Sequence, residues 1–304
     1  MKRILDCNGS DFSAMKGPDL KASIRAAEGR TLLSELIVSV PSPYEDVSSL
    51  EVARAFGADL LLFNLFDVDH PRISGLPVEE GEDVVSLAKR LTGRPLGVNL
   101  EPVDPQSSMM EERTSISAGR TLNRHSIQRL QALGFDFVCL TGNPKTGVTK
   151  DAILRGIHRV REVAGDELMI IAGKMHAAGT VEGWTEDALV EAADRFVEAG
   201  ADVVLLPAPG TVPGIDIPTL RKAAERVHAQ GGLVMAAVGT SQEGADADTV
   251  RAIALESKKA GADIFHLGDA GLLGMAPPEN LLAASIALRG KRHTYRRMAA
   301  SPLR

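Results

Sequence analysis

Residues 200–206 read Gly-Ala-Asp-Val-Val-Leu-Leu, and residues 261–267 read Gly-Ala-Asp-Ile-Phe-His-Leu. The same tripeptide, Gly57-Ala58-Asp59, stands before the apolar run Leu60–Phe66, and Gly134-Phe135-Asp136 is a variant before the next such run but one. A glycine suited to the left-handed end of a helix is thus followed, four times, by a strand-length apolar segment.

Outward from these segments, eight runs emerge: Leu32–Val40, Leu60–Phe66, Leu96–Leu100, Phe135–Leu140, Leu168–Ala172, Val203–Leu206, Leu233–Val238 and Ile264–Leu267. Each is mostly apolar without strict alternation, the pattern of parallel strands buried on both faces. The Gly-x-Asp segments precede runs two, four, six and eight. Runs one, three, five and seven follow Gly29-Arg30, Gly93-Arg94, Gly165-Asp166 and Gly231-Gly232. A unit of two strands and two helices therefore recurs four times.

Helical periodicity fills the gaps, over Ser48–Phe56, Glu82–Leu91, Asn123–Leu133, Ala152–Val163, Glu186–Ala199, Pro218–Ala229, Asp248–Ala260 and Pro278–Arg289. Thr185 reads as an N-cap before the acidic pair Glu186-Asp187. Eight even βα units predict an α/β fold, a (β/α)8 TIM barrel, over a doubly wound open sheet. No composition break divides the chain, so residues 1–304 read as one domain. Residues 1–30 form an N-terminal extension with a helix over Asp19–Ala27, placed to cover the barrel bottom, and 290–304 a basic C-terminal tail.

The 304 residues are 44% hydrophobic and 24% charged, with a net charge of −6, ordinary for a globular protein. Acidic balance and 4% aromatic content argue against nucleic acid, which calls for a basic stripe and stacking platforms. Cys7 and Cys139 are too few for a disulfide framework. No run of 18 apolar residues and no apolar signal core are found, so a soluble cytoplasmic protein without membrane partners is expected.

In such barrels the active site lies at the C-terminal strand ends. There this sequence places Glu35 and Ser39, Asn64 and Asp67, Asn99 and Glu101, Thr141 and Asn143, Lys174 and His176, and His266 with Asp269. Residues two apart share a strand face, so Asn99 with Glu101, Thr141 with Asn143 and Lys174 with His176 are expected to face the mouth, and the others to lie at the same end. Lys174 stands out as a fixed cation for an anionic substrate, a Schiff-base nucleophile, or half of a buried ion pair with Glu35 or Glu101. His176, Glu35, Glu101 and Asn99 complete the catalytic set, with His176 suited to acid–base work.

The glycine-rich loops after runs seven and eight point to phosphate, because such loops offer backbone N–H groups. Gly239, Thr240, Ser241, Gly268 and Gly271 would cradle it, with Asn64, Thr141, Asn143 and His266 as further substrate contacts. Asp67, Glu101, His176 and Asp269 supply ligands for a divalent metal such as magnesium, although no compact ligand motif is present. Asp67-Val68-Asp69 imitates the nucleophile motif of haloacid dehalogenases. Pro71, in place of that motif's small residue, and the eight-unit pattern exclude it.

Through Leu5–Asn8, Gly239–Asp246, His266–Gly271, Pro278-Glu279-Asn280 and Arg289–Tyr295, the whole chain resembles an uncharacterised bacterial TIM-barrel family. Its members carry automatic names such as haloacid-dehalogenase-like hydrolase or phosphoenolpyruvate phosphonomutase-like protein. Gly97-Val98-Asn99 adds a distant similarity to BtpA-type barrels. The phosphonomutase resemblance implies magnesium and a small phosphorylated or carboxylate substrate.

The expected function is therefore a lyase or isomerase of a small anionic metabolite. A metal-dependent hydrolase and a non-catalytic binding or assembly barrel are the alternatives. Lys291, Arg292, Arg296 and Arg297 make the tail a docking element for an acidic neighbour or subunit, as in a homo-oligomer, or a solvated end. Tyr295 is expected to anchor it.

Overall fold

The computed structural model describes residues 1–79, 81–176 and 185–304. Eight parallel strands among them close into a barrel in chain order: β1 Thr31–Ile37, β2 Leu60–Asn64, β3 Leu96–Leu100, β4 Phe137–Leu140, β5 Met169–Gly173, β6 Val203–Pro207, β7 Leu233–Val238 and β8 Ile264–Leu267. Closure runs through β1 and β8, with Thr31 opposite Ile264 and Leu33 opposite His266. The fold is the expected (β/α)8 barrel.

Two short helices, α1 (Gly9–Ser13) and α2 (Gly17–Arg25), precede the barrel. Its outer helices are α3 (Ser49–Ala55), α4 (Val84–Thr92), α5 (Arg124–Ala132), α6 (Lys150–Ala164), α7 (Glu186–Glu198), α8 (Ile217–Ala229), α9 (Ala247–Lys259) and α10 (Pro278–Ala299). Thr185 caps α7 as expected, accepting the Ala188 N–H. The extension closes the barrel bottom: Ile4, Leu20 and Ile24 pack into one cluster with Leu33, Leu60, Leu233 and Ile264 of the interior.

The structure gives the Gly-x-Asp repeat a job. Each aspartate ties its strand to the preceding one. Asp59, Asp136, Asp202 and Asp263 accept the backbone N–H of Leu32, Leu96, Ile170 and Val234 at 2.9, 2.8, 2.9 and 2.8 Å. Each also donates its own N–H to the carbonyl of that same residue. The helix leading into the odd-numbered strand then supplies a cation: Lys89 of α4 meets Asp136, Arg161 of α6 meets Asp202, and His228 of α8 meets Asp263. Arg289 of α10, which leads into β1 around the closed barrel, meets Asp59 at 2.5 Å. The sequence repeat is thus a four-fold set of staples around the barrel bottom, three of them ion pairs and the fourth closed by a histidine.

The basic tail departs from expectation. Gly290, at φ 73°, ends the barrel helix where the sequence reading ended it, but the chain re-enters a helix up to Ala299. That second half turns inward. Arg297 is 1% exposed; its Nε lies 2.8 Å from Asp59, and it donates to the Ile4 and Cys7 carbonyls. Arg296 donates to the Leu5 and Asp6 carbonyls. The tail docks on its own chain, beneath the barrel. Tyr295 is half-exposed, so Arg297 rather than Tyr295 is the anchor.

Candidate active site

The interior is apolar below and polar above. Leu33, Leu60, Leu62, Phe137, Cys139, Met169, Ile171, Leu205 and Met235 fill its lower and middle parts. Continuing the same alternation, Glu35, Asn64, Asn99, Glu101, Thr141 and His266 come next, and all six are buried. Small or apolar residues occupy the matching positions on β5 to β7. The mouth is therefore polar on the side of β8 and β1 to β4.

Two hydrogen-bonded groups line that side. In the first, Glu35 accepts from Asn99 Nδ2 at 2.6 Å through Oε1 and meets His266 Nε2 at 3.0 Å through Oε2. In the second, Asn64 and Asn143 exchange amide hydrogen bonds at 2.9 and 3.0 Å. Asn64 also donates to Asp269 Oδ2 at 2.7 Å. Asn143 donates to both oxygens of Glu101, from its side chain at 2.9 Å and its backbone at 2.8 Å. Arg120 meets Glu101 Oε1 at 2.9 Å.

Burial and the nearby charge of Glu35 push the Asp269 carboxyl up to about 7, against the hydrogen bond from Asn64 and the charge of His266. Burial and the charge of Lys174 push the His176 imidazole down, against the pull of Glu35 and Glu101. His176 is accordingly neutral at pH 7. Around neutrality the mouth thus offers a carboxyl that exchanges a proton and a neutral imidazole. Thr141 is buried, and its Oγ1 has no hydrogen-bond partner among the described residues.

Lys174 follows the last residue of β5. Met169, Ile171 and Met175 carry the inward parity, whereas Lys174 shares that of the outward Ile170 and Ala172. Its ammonium donates to the Val148 carbonyl at 2.9 Å, in the connection after β4. Met175 lies against Gly239, where a Cβ would fall 1.9 Å from its sulfur.

The loops expected to cradle phosphate are engaged within the chain. Thr240 Oγ1 donates to the Thr211 carbonyl at 3.1 Å, and Ser241 takes a left-handed conformation with an exposed side chain. A Cβ on Gly268 would fall 2.8 Å from Glu243 Oε1, and one on Gly271 2.7 Å from Pro277. Glu243 is fully buried and already accepts the Ala270 N–H at 3.0 Å. A carboxylate thus stands where an anion would need N–H groups.

The expected metal set is not brought together. Asp67 accepts the N–H groups of Asp69 and His70 at 2.8 and 3.3 Å. Burial raises its carboxyl, but Ser117 and those amides outweigh that and hold it below the usual range. Glu101 is bonded to Asn143 and Arg120, and Asp269 to Asn64. Among the described residues, no three His, Cys, Asp or Glu side chains are grouped to hold a metal. The donors among the described residues do not fit magnesium.

Sequence reasoning missed Arg120 and Met175 as parts of this site. Arg120 lies in a long loop 19 residues after its partner Glu101, and no local pattern marks it. Alternation from Met169 and Ile171 would have found Met175.

Comparison with solved structures agrees with the fold. The chain superposes on 2,3-dimethylmalate lyase, a member of the PEP mutase/isocitrate lyase superfamily, with a TM-score of 0.51 at 13% identity, covering 85% of this chain and 82% of that one. A Burkholderia cenocepacia J2315 protein provisionally named a lyase/mutase gives 0.50 at 15% identity, covering 84% and 82%. The pyruvate carboxylase of Rhizobium etli gives 0.52 at 12% identity, covering 96% of this chain and 30% of that one. At these identities the likeness is one of fold. No curated protein matches the sequence. No helix among the described residues is long and apolar enough to cross a membrane. Residues 5–304 match the family described as Domain of unknown function (DUF7916), and the chain belongs to that family.

Proposed function

We propose that the barrel mouth catalyses proton transfer, in a lyase or isomerase reaction, on a small carboxylate-bearing metabolite. The observation that carries this reading is Asp269, a half-buried carboxyl held by Asn64 and pushed up to about 7 beside Glu35. A general acid or base works best when its pKa lies near the operating pH, and perturbed carboxyls in a cleft mark functional sites.

Asp269 exchanges a proton with the substrate carbon or its hydroxyl. Glu35, oriented by Asn99 and His266, holds the facing negative charge that keeps this proton available. Lys174 and Arg120 supply positive charge toward the substrate carboxylate, Lys174 as a fixed cation held by the Val148 carbonyl. Asn64, Asn143 and Thr141 offer neutral hydrogen-bonding groups for substrate oxygens. Buried Glu243 beside the β8 loop favours a carboxylate substrate over a phosphorylated one.

The name of the 2,3-dimethylmalate lyase suggests a first panel of substituted malates and related hydroxy acids. In D2O, proton NMR should show deuterium entering the carbon beside a carboxylate of one panel member, or cleavage of that acid. Asp269→Asn should abolish either outcome. Turnover undiminished in Asp269→Asn would refute the reading.

A further inference from the structure

Away from the mouth, an open groove of about 870 Å³ runs between α3 and α4 and is closed at one end by residues 302 and 303. Val47, Val52, Phe56, Leu91 and Leu303 give it an apolar lining. Of these, Val47 and Leu303 are exposed. Single exposed apolar side chains need no explanation, but a contiguous concave patch does. This volume falls in the range of small-molecule sites, roughly 300–1,000 Å³.

One cation in the wall has only a distant counter-charge. Arg54, on α3, donates to the Ala300 carbonyl. Its buried Nε–H has no acceptor among the described residues, and the carboxylate acting on it is that of Glu51. Glu51, one helical turn away, is turned back onto the backbone and hydroxyl of Ser48 at 3.0 and 2.7 Å. Arg90, at the rim, is paired with Glu82. A half-buried guanidinium against apolar walls selects a carboxylate, for which its planar fork is matched. A second copy of the chain fits less well, because two facing concave surfaces enclose a void and bring two arginines together.

We propose that this groove is a binding site for an apolar carboxylate, an acyl chain lying along α3 and α4 with its head group at Arg54. The site is independent of the reaction assigned to the mouth.

Octanoate is the probe, with 1-octanol and acetate as controls for head group and chain. Calorimetry on the full chain should show octanoate binding at least about tenfold more tightly than either control, a difference of about 1.4 kcal/mol. Arg54→Gln should weaken octanoate by about tenfold or more. Because Arg54 also holds the Ala300 carbonyl, Val47→Asp supplies a second variant at an exposed position, and it too should expel octanoate. Asp269→Asn should leave octanoate binding unchanged. The proposal is overturned if octanoate does not bind, if it binds Val47→Asp as well as the parent, or if it competes at the mouth. Sedimentation showing a dimer that Val47→Asp dissociates would assign the groove to a second copy and overturn it equally.

Discussion

His266 Nε2 lies 3.0 Å from Glu35 Oε2, with the two side chains 0% and 4% exposed. Asn99 occupies the other oxygen of Glu35. An ionised carboxylate only accepts hydrogen bonds, so Nε2 carries a proton whatever the charge of the ring. Nδ1 has no partner among the described residues. These contacts fix the place of the Glu35 carboxylate inside the barrel, and its charge raises Asp269 against the opposing charge of His266.

Glu35→Gln removes that charge while keeping an acceptor and nearly the same shape. The Asp269 carboxyl should then fall below about 7 toward its ordinary 3.8. The acidic limb of the activity profile should move to lower pH. Carboxyl titration by NMR on the parent and the variant checks this directly. An unmoved titration would mean that Glu35 and Asp269 are not coupled.

Asp269 also makes stability depend on pH. Its folded pKa, about 7, lies above its ordinary value of 3.8, so between these values the folded chain binds more protons than the unfolded chain. Stability from this group is therefore present at the acid end and lost as pH rises from about 4 to about 7. Asp269→Asn should be flatter over this window, and its stability relative to the parent should increase with pH. Urea denaturation of both at pH 4.5, 5.5, 6.5 and 7.5 measures the difference. A parent curve parallel to that of Asp269→Asn would contradict the shift.

The strands were legible because parallel strands buried on both faces must be apolar throughout, and because the left-handed glycine at Gly57, Gly134, Gly200 or Gly261 ends the helix before an even-numbered strand. The mouth was legible where alternation continues to the strand end, as at Glu35, Asn64, Asn99, Glu101 and His266. At β5 alternation gives no such mark, because both faces are apolar and the visible polar pair, Lys174 and His176, shares the parity of the outward Ile170 and Ala172. The loop contact of Arg120 depends on a chain path that no local pattern encodes. The tail was expected to meet an acidic neighbour or solvent, whereas here Asp59 and a row of carbonyls of its own chain receive Arg296 and Arg297, and Lys291 and Arg292 stay exposed.

That reception makes Asp59 the most sensitive staple. It bonds the Leu32 N–H and two arginines, Arg289 and Arg297, that are themselves almost fully buried. Asp59→Asn leaves both guanidinium groups without their counter-charge. The expected loss is about 3–5 kcal/mol, the cost of breaking a buried pair from one side. Asp136→Asn, whose partner Lys89 is a third exposed, should lose less. Chemical denaturation of the two variants gives the ranking, and equal losses would show that the tail contributes little to the barrel bottom.

His228 and Asp263 form the staple whose charge changes near neutrality. The hydrogen bond that His228 donates to Asp263 raises its imidazole above the ordinary 6.5, against the opposing effect of burial. A raised folded pKa means a contribution fully present below about 6.5 and lost as pH rises through the folded value. The His228 side chain is 40% exposed, so solvent screens the pair and the stability effect is small. The clearer readout is the imidazole itself. NMR titration should place His228 above 6.5 in the parent and return it toward or below that value in Asp263→Asn, since burial then acts without its counterweight. If His228 titrates alike in both proteins, the fourth staple is a hydrogen bond to the Val234 N–H alone.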